Sequence, residues 1–266
     1  MTTSQSLPPQ SDPPLSPRLT LPTMYDLPSE DPEEPGLPDE FHGYQPLLLR
    51  YTFKPANYDP DEVFVGTDIN LYYDLRHLNW YKRPDWFAVV GVSRLYEGRD
   101  LRNSYVMWQE LVSPFVVVEL LSPGTEDEDL GRTIPQSGKP PTKWQVYEQI
   151  LRVPYYIVFS RYTDQLQAFR LVGGQYESVE VGEEGLLIPQ LGLRLGLWQG
   201  HFENIDRLWL RWFTASGELI LTPSEESAVA QARVTQSEQR AERAEERAER
   251  LAAKLRELNI DPDELE

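Results

Sequence analysis

The sequence predicts an α/β domain, a mixed β-sheet flanked by helices, followed by one long C-terminal helix. Three observations point there. Residues 86–90, 115–121 and 155–159 are short, β-branched and apolar, as strands covered on both faces are. Between the last two lies a stretch with Trp144, Tyr147, Ile150 and Leu151 at helical spacing. Beyond Ser224 small and apolar residues recur at three- and four-residue steps as far as Leu258.

Taken in order, residues 1–40 are rich in proline, serine and acid. They hold too little apolar surface to offset chain entropy, and a disordered tail is expected. Residues 41–223 form the expected domain. Within it, residues 63–65 and 69–73 read as a first strand or strand pair. Residues 94–110, charged and aromatic, read as an excursion or a short helix. Ser122-Pro123-Gly124-Thr125 signals a turn. Residues 126–141, with their acids, glycines and prolines, read as a long loop in which the run Glu126-Asp127-Glu128-Asp129 is solvated.

Thr142 has the chemistry of an N-cap for the helix that begins at Lys143. Pro154 ends that helix and opens the strand at 155–159. Gly173-Gly174 between two alternating runs, 165–171 and 175–181, signals a hairpin. Residues 186–188 and 191–197 add further strands. Residues 201–213, with four aromatic side chains, read as a helix. In residues 224–266 the seam runs through Ala230, Val234, Ala241, Ala244, Ala248, Leu251, Leu255 and Leu258, with Ser237 at one seam position. Opposite charges three and four residues apart flank it. This predicts a coiled-coil helix and a homo-oligomer, a dimer; a single solvated helix held by its charge pairs is the alternative.

Composition narrows the chemistry. Cysteine is absent, which excludes disulfides and thiolate zinc sites and fits a cytoplasmic protein. The three histidines, His42, His77 and His201, lack metal-ligand spacing, so a metal here would sit on oxygen. No apolar run reaches the length of a membrane span. The net charge of -18 has the wrong sign for a simple nucleic-acid binder. Most of it lies at the ends: residues 1–40 hold eight acids and one base, residues 224–266 twelve acids and seven bases, and the domain between is left at -6.

The candidate site starts from two carboxylates. Asp85 stands at the head of one apolar strand, and Glu119 is embedded in the next. A glutamate is almost never buried without a charged partner. A structural ion pair with Arg152 or Arg170 would satisfy Glu119, as would a metal ion held jointly with Asp85. A hard oxygen site of this kind suits Mg2+, with Mn2+ as a substitute. Lys143 begins the helix after the second strand, where the helix dipole disfavours a cation. Aimed at the two carboxylates it would complete a set suited to phosphodiester hydrolysis. In such a set a bound metal polarises a phosphoryl oxygen and acidifies a water, and the ammonium offsets developing negative charge. Tyr147 lies one turn on, on the same face, where core packing would also explain it. Asp68 is a further carboxylate from the first strand region. There is no P-loop, glycine-rich nucleotide fingerprint or nucleophile elbow.

Pro84-Asp85, then Val117-Val118-Glu119-Leu120-Leu121-Ser122-Pro123-Gly124-Thr125, then Lys143 with Tyr147, then Val153-Pro154-Tyr155-Tyr156 together resemble the Uma family of restriction-endonuclease domains, within the PD-(D/E)xK nuclease superfamily. The resemblance covers roughly residues 45–200. It implies a restriction-endonuclease-like fold, magnesium dependence and DNA as substrate. The superfamily's lysine position, two after the glutamate, is Leu121 here. Family members move the lysine to the following helix, which gives Lys143 the role and leaves Lys139 as the weaker substitute. Asp129 matches a family aspartate ahead of that lysine, with Asp127 nearly as well placed. The expected function is a metal-dependent DNA endonuclease with Asp85, Glu119 and Lys143 catalytic. The alternative is an inactive nuclease-like scaffold that binds a partner or oligomerises through its C-terminal helix.

Overall fold

The computed structural model describes residues 39–122, 126–136 and 138–257. The expected disordered tail lies outside them up to residue 38, as do residues 123–125 of the turn and the seam's Leu258. Helix α1 (Phe41–Thr52) opens the domain. Strands β1 (Val63–Gly66), β2 (Leu71–Tyr72), β3 (Tyr81–Lys82), β4 (Trp86–Val90) and β5 (Tyr105–Val106) follow. Next come the short helix α2 (Met107–Glu110), β6 (Val116–Leu120) and the acidic turn α3 (Glu126–Asp129). Helix α4 (Lys143–Gln145) continues into a wider turn (Val146–Ile150), in which the Leu151 N–H donates to the Val146 carbonyl at 2.8 Å. Strands β7 (Tyr155–Phe159), β8 (Leu166–Val172), β9 (Gln175–Val179), β10 (Leu186–Ile188), β11 (Leu193–Phe202) and β12 (Ile205–Thr214) complete this unit.

The main sheet has the order β1-β4-β6-β7-β8-β9. Its only parallel pair, among the described residues, is β6 with β7; every other neighbour is antiparallel. The pair is parallel because the segment between the two strands crosses over one face of the sheet and carries α4 there. As the apolar runs require, every residue of β4, β6 and β7 is buried. Successive side chains alternate between faces. Phe87, Val89, Val117, Tyr156 and Val158 therefore share one face, packed against Val146, Tyr147 and Leu151 of the helix. Trp86 points to the other face, where Phe53 and Trp212 meet it at ring separations of 5.2 and 5.9 Å.

That second face corrects one expectation. Residues 201–213 are not a helix. They are the end of β11, a tight turn and most of β12, in a separate antiparallel sheet of order β10-β11-β12. Glu203 and Asn204 both take positive φ, 48° and 62°, which is the mirror-image turn that matches strand twist. Glu-Asn signals that turn far less clearly than Asn-Gly. The Gly173-Gly174 hairpin, by contrast, forms as expected, with Val172 opposite Gln175. Helix α1 was not foreseen. Its N-cap residue Glu40 makes no side-chain cap, and Pro46 lies inside the helix. It is held by tertiary bonds: buried Gln45 accepts from the Leu210 N–H at 2.9 Å and donates to the Leu210 carbonyl at 2.7 Å, imitating a strand neighbour of β12.

Leu219 onward forms a second compact unit, which contains α5 (Pro223–Glu257). Side chains of the expected seam stand open to solvent, with Val234 50% and Leu251 54% exposed. No helix among the described residues is long and apolar enough to cross a membrane.

Candidate active site

Strands β4 and β6 pair with Trp86 opposite Val118, and one step further along that register Asp85 stands beside Glu119. Both carboxylates lie on the face that α4 covers, because each is an even number of residues from the face-mates Phe87 and Val117. The Leu120 N–H donates to Asp85 Oδ2 at 2.6 Å, and the Asp85 N–H approaches Glu119 Oε2 at 3.4 Å. Each side chain is thus tied to the backbone of the opposite strand.

Helix α4 brings its first residue to the same place. Lys143 Nζ donates to Glu119 Oε2 at 3.1 Å and to Asp129 Oδ1 at 2.6 Å. One turn on, Tyr147 donates its hydroxyl to the other oxygen, Glu119 Oε1, at 2.7 Å. Thr142 fixes the helix start through a full capping box with Gln145. The acidic run also differs from expectation. Asp129 is buried rather than solvated. Glu128 Oε1 accepts from the Lys143 backbone N–H at 3.0 Å and from Lys82 Nζ at 2.7 Å, so it holds the helix start at the site. Glu126 and Asp127 behave as expected, turned out to Arg132. The run can fold back this closely because Gly131, at φ 69°, lies under the Trp144 ring, 2.7 Å from where a Cβ would stand.

Of the residues singled out from sequence, Asp85, Glu119, Asp129, Lys143 and Tyr147 meet at one place. Asp68 does not: its carboxylate pairs with Arg83 at 2.7 Å, although it lines the same cavity as Asp85. Lys139 is exposed and outside the cluster. Arg152 and Arg170 are not partners of Glu119, whose cation is Lys143.

Sequence reasoning missed His42. From α1 its ring reaches the outer side of the strand pair. Nε2 lies 3.0 Å from the Leu120 carbonyl and Nδ1 lies 2.8 Å from Asp39 Oδ1. Both neighbours are acceptors, so the doubly protonated ring satisfies both. Burial opposes that charge, but Asp39, Asp85 and the Leu120 carbonyl outweigh it and raise the His42 pKa. The signal available in the sequence was the i,i+3 pair Asp39–His42.

The balance of charge decides what the cluster can hold. Burial alone would lower the Lys143 pKa, yet Glu119, Asp129 and Asp85 hold it well above its ordinary value. Burial drives the Glu119 carboxyl well above the usual range, only partly opposed by Lys143. Burial raises Asp85 in the same direction, against Lys143 and His42. Three carboxylates share one ammonium, with the charge of His42 acting on half-buried Asp85, and buried Glu119 is left shortest of positive charge. A divalent cation on hard oxygen donors would remedy that, so the residues fit magnesium. Among the described residues no three His, Cys, Asp or Glu side chains are grouped closely enough to hold a metal by themselves. Two carboxylates with water and substrate oxygens are the usual arrangement for magnesium. A cavity of about 400 Å3, lined by His42, Arg50, Tyr51, Thr67 and Asp68, reaches Asp85; Glu119, Asp129, Lys143 and Tyr147 do not line it.

Tyr147→Phe removes a hydrogen bond to a buried carboxylate, and we expect it to lower stability by about 1.5–3 kcal/mol in urea unfolding. Unchanged stability would assign the tyrosine to packing alone.

No curated protein matches the chain. A solved structure titled "Crystal structure of a putative nuclease belonging to DUF820", from Anabaena variabilis, matches at 10% identity with a TM-score of 0.33. The match covers 49% of this chain and 62% of that one. The family Uma2, described as "Putative restriction endonuclease", matches residues 19–207. That span carries the strand pair, the acidic turn and the lysine helix, and with it the chain belongs to the Uma2 family.

Proposed function

We propose that this protein is a magnesium-dependent endonuclease that hydrolyses phosphodiester bonds in DNA, with a PD-(D/E)xK site whose lysine stands on α4 rather than at position 121. The observation that carries the proposal is a helix-borne ammonium within 3.1 Å of a buried strand carboxylate whose strand neighbour is a second carboxylate. Asp85 and Glu119 would hold the metal. When bound, it supplies Lewis-acid polarisation of a phosphoryl oxygen and lowers the pKa of a coordinated water.

The chain's own groups do the rest. Lys143 stays protonated and places a fixed positive charge where negative charge develops on the phosphoryl oxygens. Tyr147 and the Asp85 N–H fix the Glu119 carboxylate in one orientation. Asp129 holds the lysine's ammonium in place, and the Leu120 N–H holds Asp85. Titration of Mg2+ into the protein by calorimetry separates this reading from an inactive scaffold. Heat of binding is expected with the wild type and not with Asp85→Ala. Equal heats, or none from either protein, would defeat the proposal.

The same proposal includes assembly. The exposed Val234 and Leu251 of α5 suit a second copy of the helix, with its flanking Glu and Arg residues in register. Removing residues 224–266 is expected to convert a dimer to a monomer in light scattering. An unchanged subunit number would rule out the helix as the contact.

A further inference from the structure

A second cavity, of about 410 Å3, lies beyond the C-terminal end of α1, between it, the segment running to Pro60, and β1. Phe53, Tyr58, Val63 and Val65 give it an apolar wall, and Arg50 and Arg94 bring two guanidiniums to it beside Lys54. Neither Asp nor Glu lines it. Arg50 also lines the cavity that leads to Asp85, so it stands between the two.

The two arginines differ from several others in the domain. Among the described residues neither guanidinium has a hydrogen-bond or ion-pair partner, whereas Arg76, Arg83, Arg102, Arg161 and Arg250 each meet a carboxylate. Burial, and then the nearby charge of Arg94, lower the pKa of Arg50. Arg50 is exposed and Arg94 half-buried, so both guanidiniums are open to an anion arriving from solvent. The domain around them is acidic overall, which makes a local positive pocket a selective one. A guanidinium offers the planar fork of donors that suits phosphate oxygens.

We propose that Arg50 and Arg94 form a phosphate site for the substrate strand, holding a backbone phosphate that flanks the one presented to Asp85. Tyr58 and the aliphatic wall of β1 take the adjoining sugar or base. The ligand assignment rests on the nuclease reading; the anion site rests on the arginine pair.

The test is duplex binding by the full chain, followed by fluorescence anisotropy in Ca2+ across a salt series, with inorganic phosphate as a separate titrant. The double variant Arg50→Ala/Arg94→Ala is expected to bind duplex about tenfold more weakly, as loss of a charged phosphate contact predicts. Its slope of log Kd against log salt should fall by about 1. Arg50→Lys/Arg94→Lys keeps the charge and should keep the slope. Equal thermal midpoints show that the fold is intact, as expected for side chains without protein partners. If the alanine variant binds with wild-type affinity and slope, the phosphate site is overturned while a wild type that cuts DNA keeps the nuclease reading. If inorganic phosphate binds through these arginines but the wild type neither binds nor cuts duplex, the anion site stands and the nuclease reading falls.

Discussion

Replacing Lys143 by methionine is expected to cut the cleavage rate by about 10^2- to 10^3-fold, the usual consequence of removing one fixed charge from a site where oxyanion charge develops. Stability should fall as well. Lys143 is bonded to both Glu119 and Asp129, and both carboxylates are buried. Breaking a buried pair by deleting one partner costs about 3–5 kcal/mol, because the remaining charge stays out of water. The two effects have different remedies. Magnesium supplies charge to the carboxylates that lost their ammonium, so it should raise the thermal midpoint of Lys143→Met more than that of the wild type, while cleavage stays low. A variant as stable and as active as the wild type would remove Lys143 from the site's function.

Glu119→Gln is expected to give the larger loss of activity. The substitution keeps the shape and leaves an oxygen for the Tyr147 hydroxyl, so the fold survives. It removes one of two ligand charges. A metal acting as Lewis acid contributes several kcal/mol to transition-state stabilisation, and each 1.36 kcal/mol is tenfold in rate. Cleavage should therefore drop by about 10^3-fold or more, with Mg2+ no longer raising the thermal midpoint. The amide oxygen serves the Tyr147 hydroxyl only by turning its NH2 toward Lys143 Nζ and the Asp85 N–H, so the metal-free variant should be less stable than the metal-free wild type, with Asp129 still holding the ammonium. Retained cleavage with lost metal stabilisation would separate the metal from the chemistry.

Much of the site could be read from the chain because its residues break local rules. A glutamate inside Val116–Leu120 has no reason to be there without a partner, and period-two alternation already put it on the face of Val117. Asp85 followed from the strand pairing, and Lys143 from its place at a helix start that disfavours cations. The acidic run was different. Solvated loops and folded-back turns have the same composition, and only the contact of Gly131 with Trp144 and the two bonds of Glu128 distinguish them. His42 and helix α1 were hidden for a related reason. Their partners, Leu120 and Leu210, are 78 and 165 residues away, and no local pattern reports a side chain that bonds a distant backbone. The hairpin at Glu203-Asn204 was obscured by its aromatic residues, which fit an amphipathic helix as readily as a strand pair facing Phe41 and Phe53.

The proposed activity is cleavage of DNA with magnesium by Glu119 and its neighbours. Incubating supercoiled plasmid with Mg2+ and equal amounts of wild type and Glu119→Ala tests it most directly. Nicked and linear products from the wild type alone, abolished by EDTA, are the result expected. Equal cleavage by the two proteins would contradict the account, and so would an intact plasmid in both.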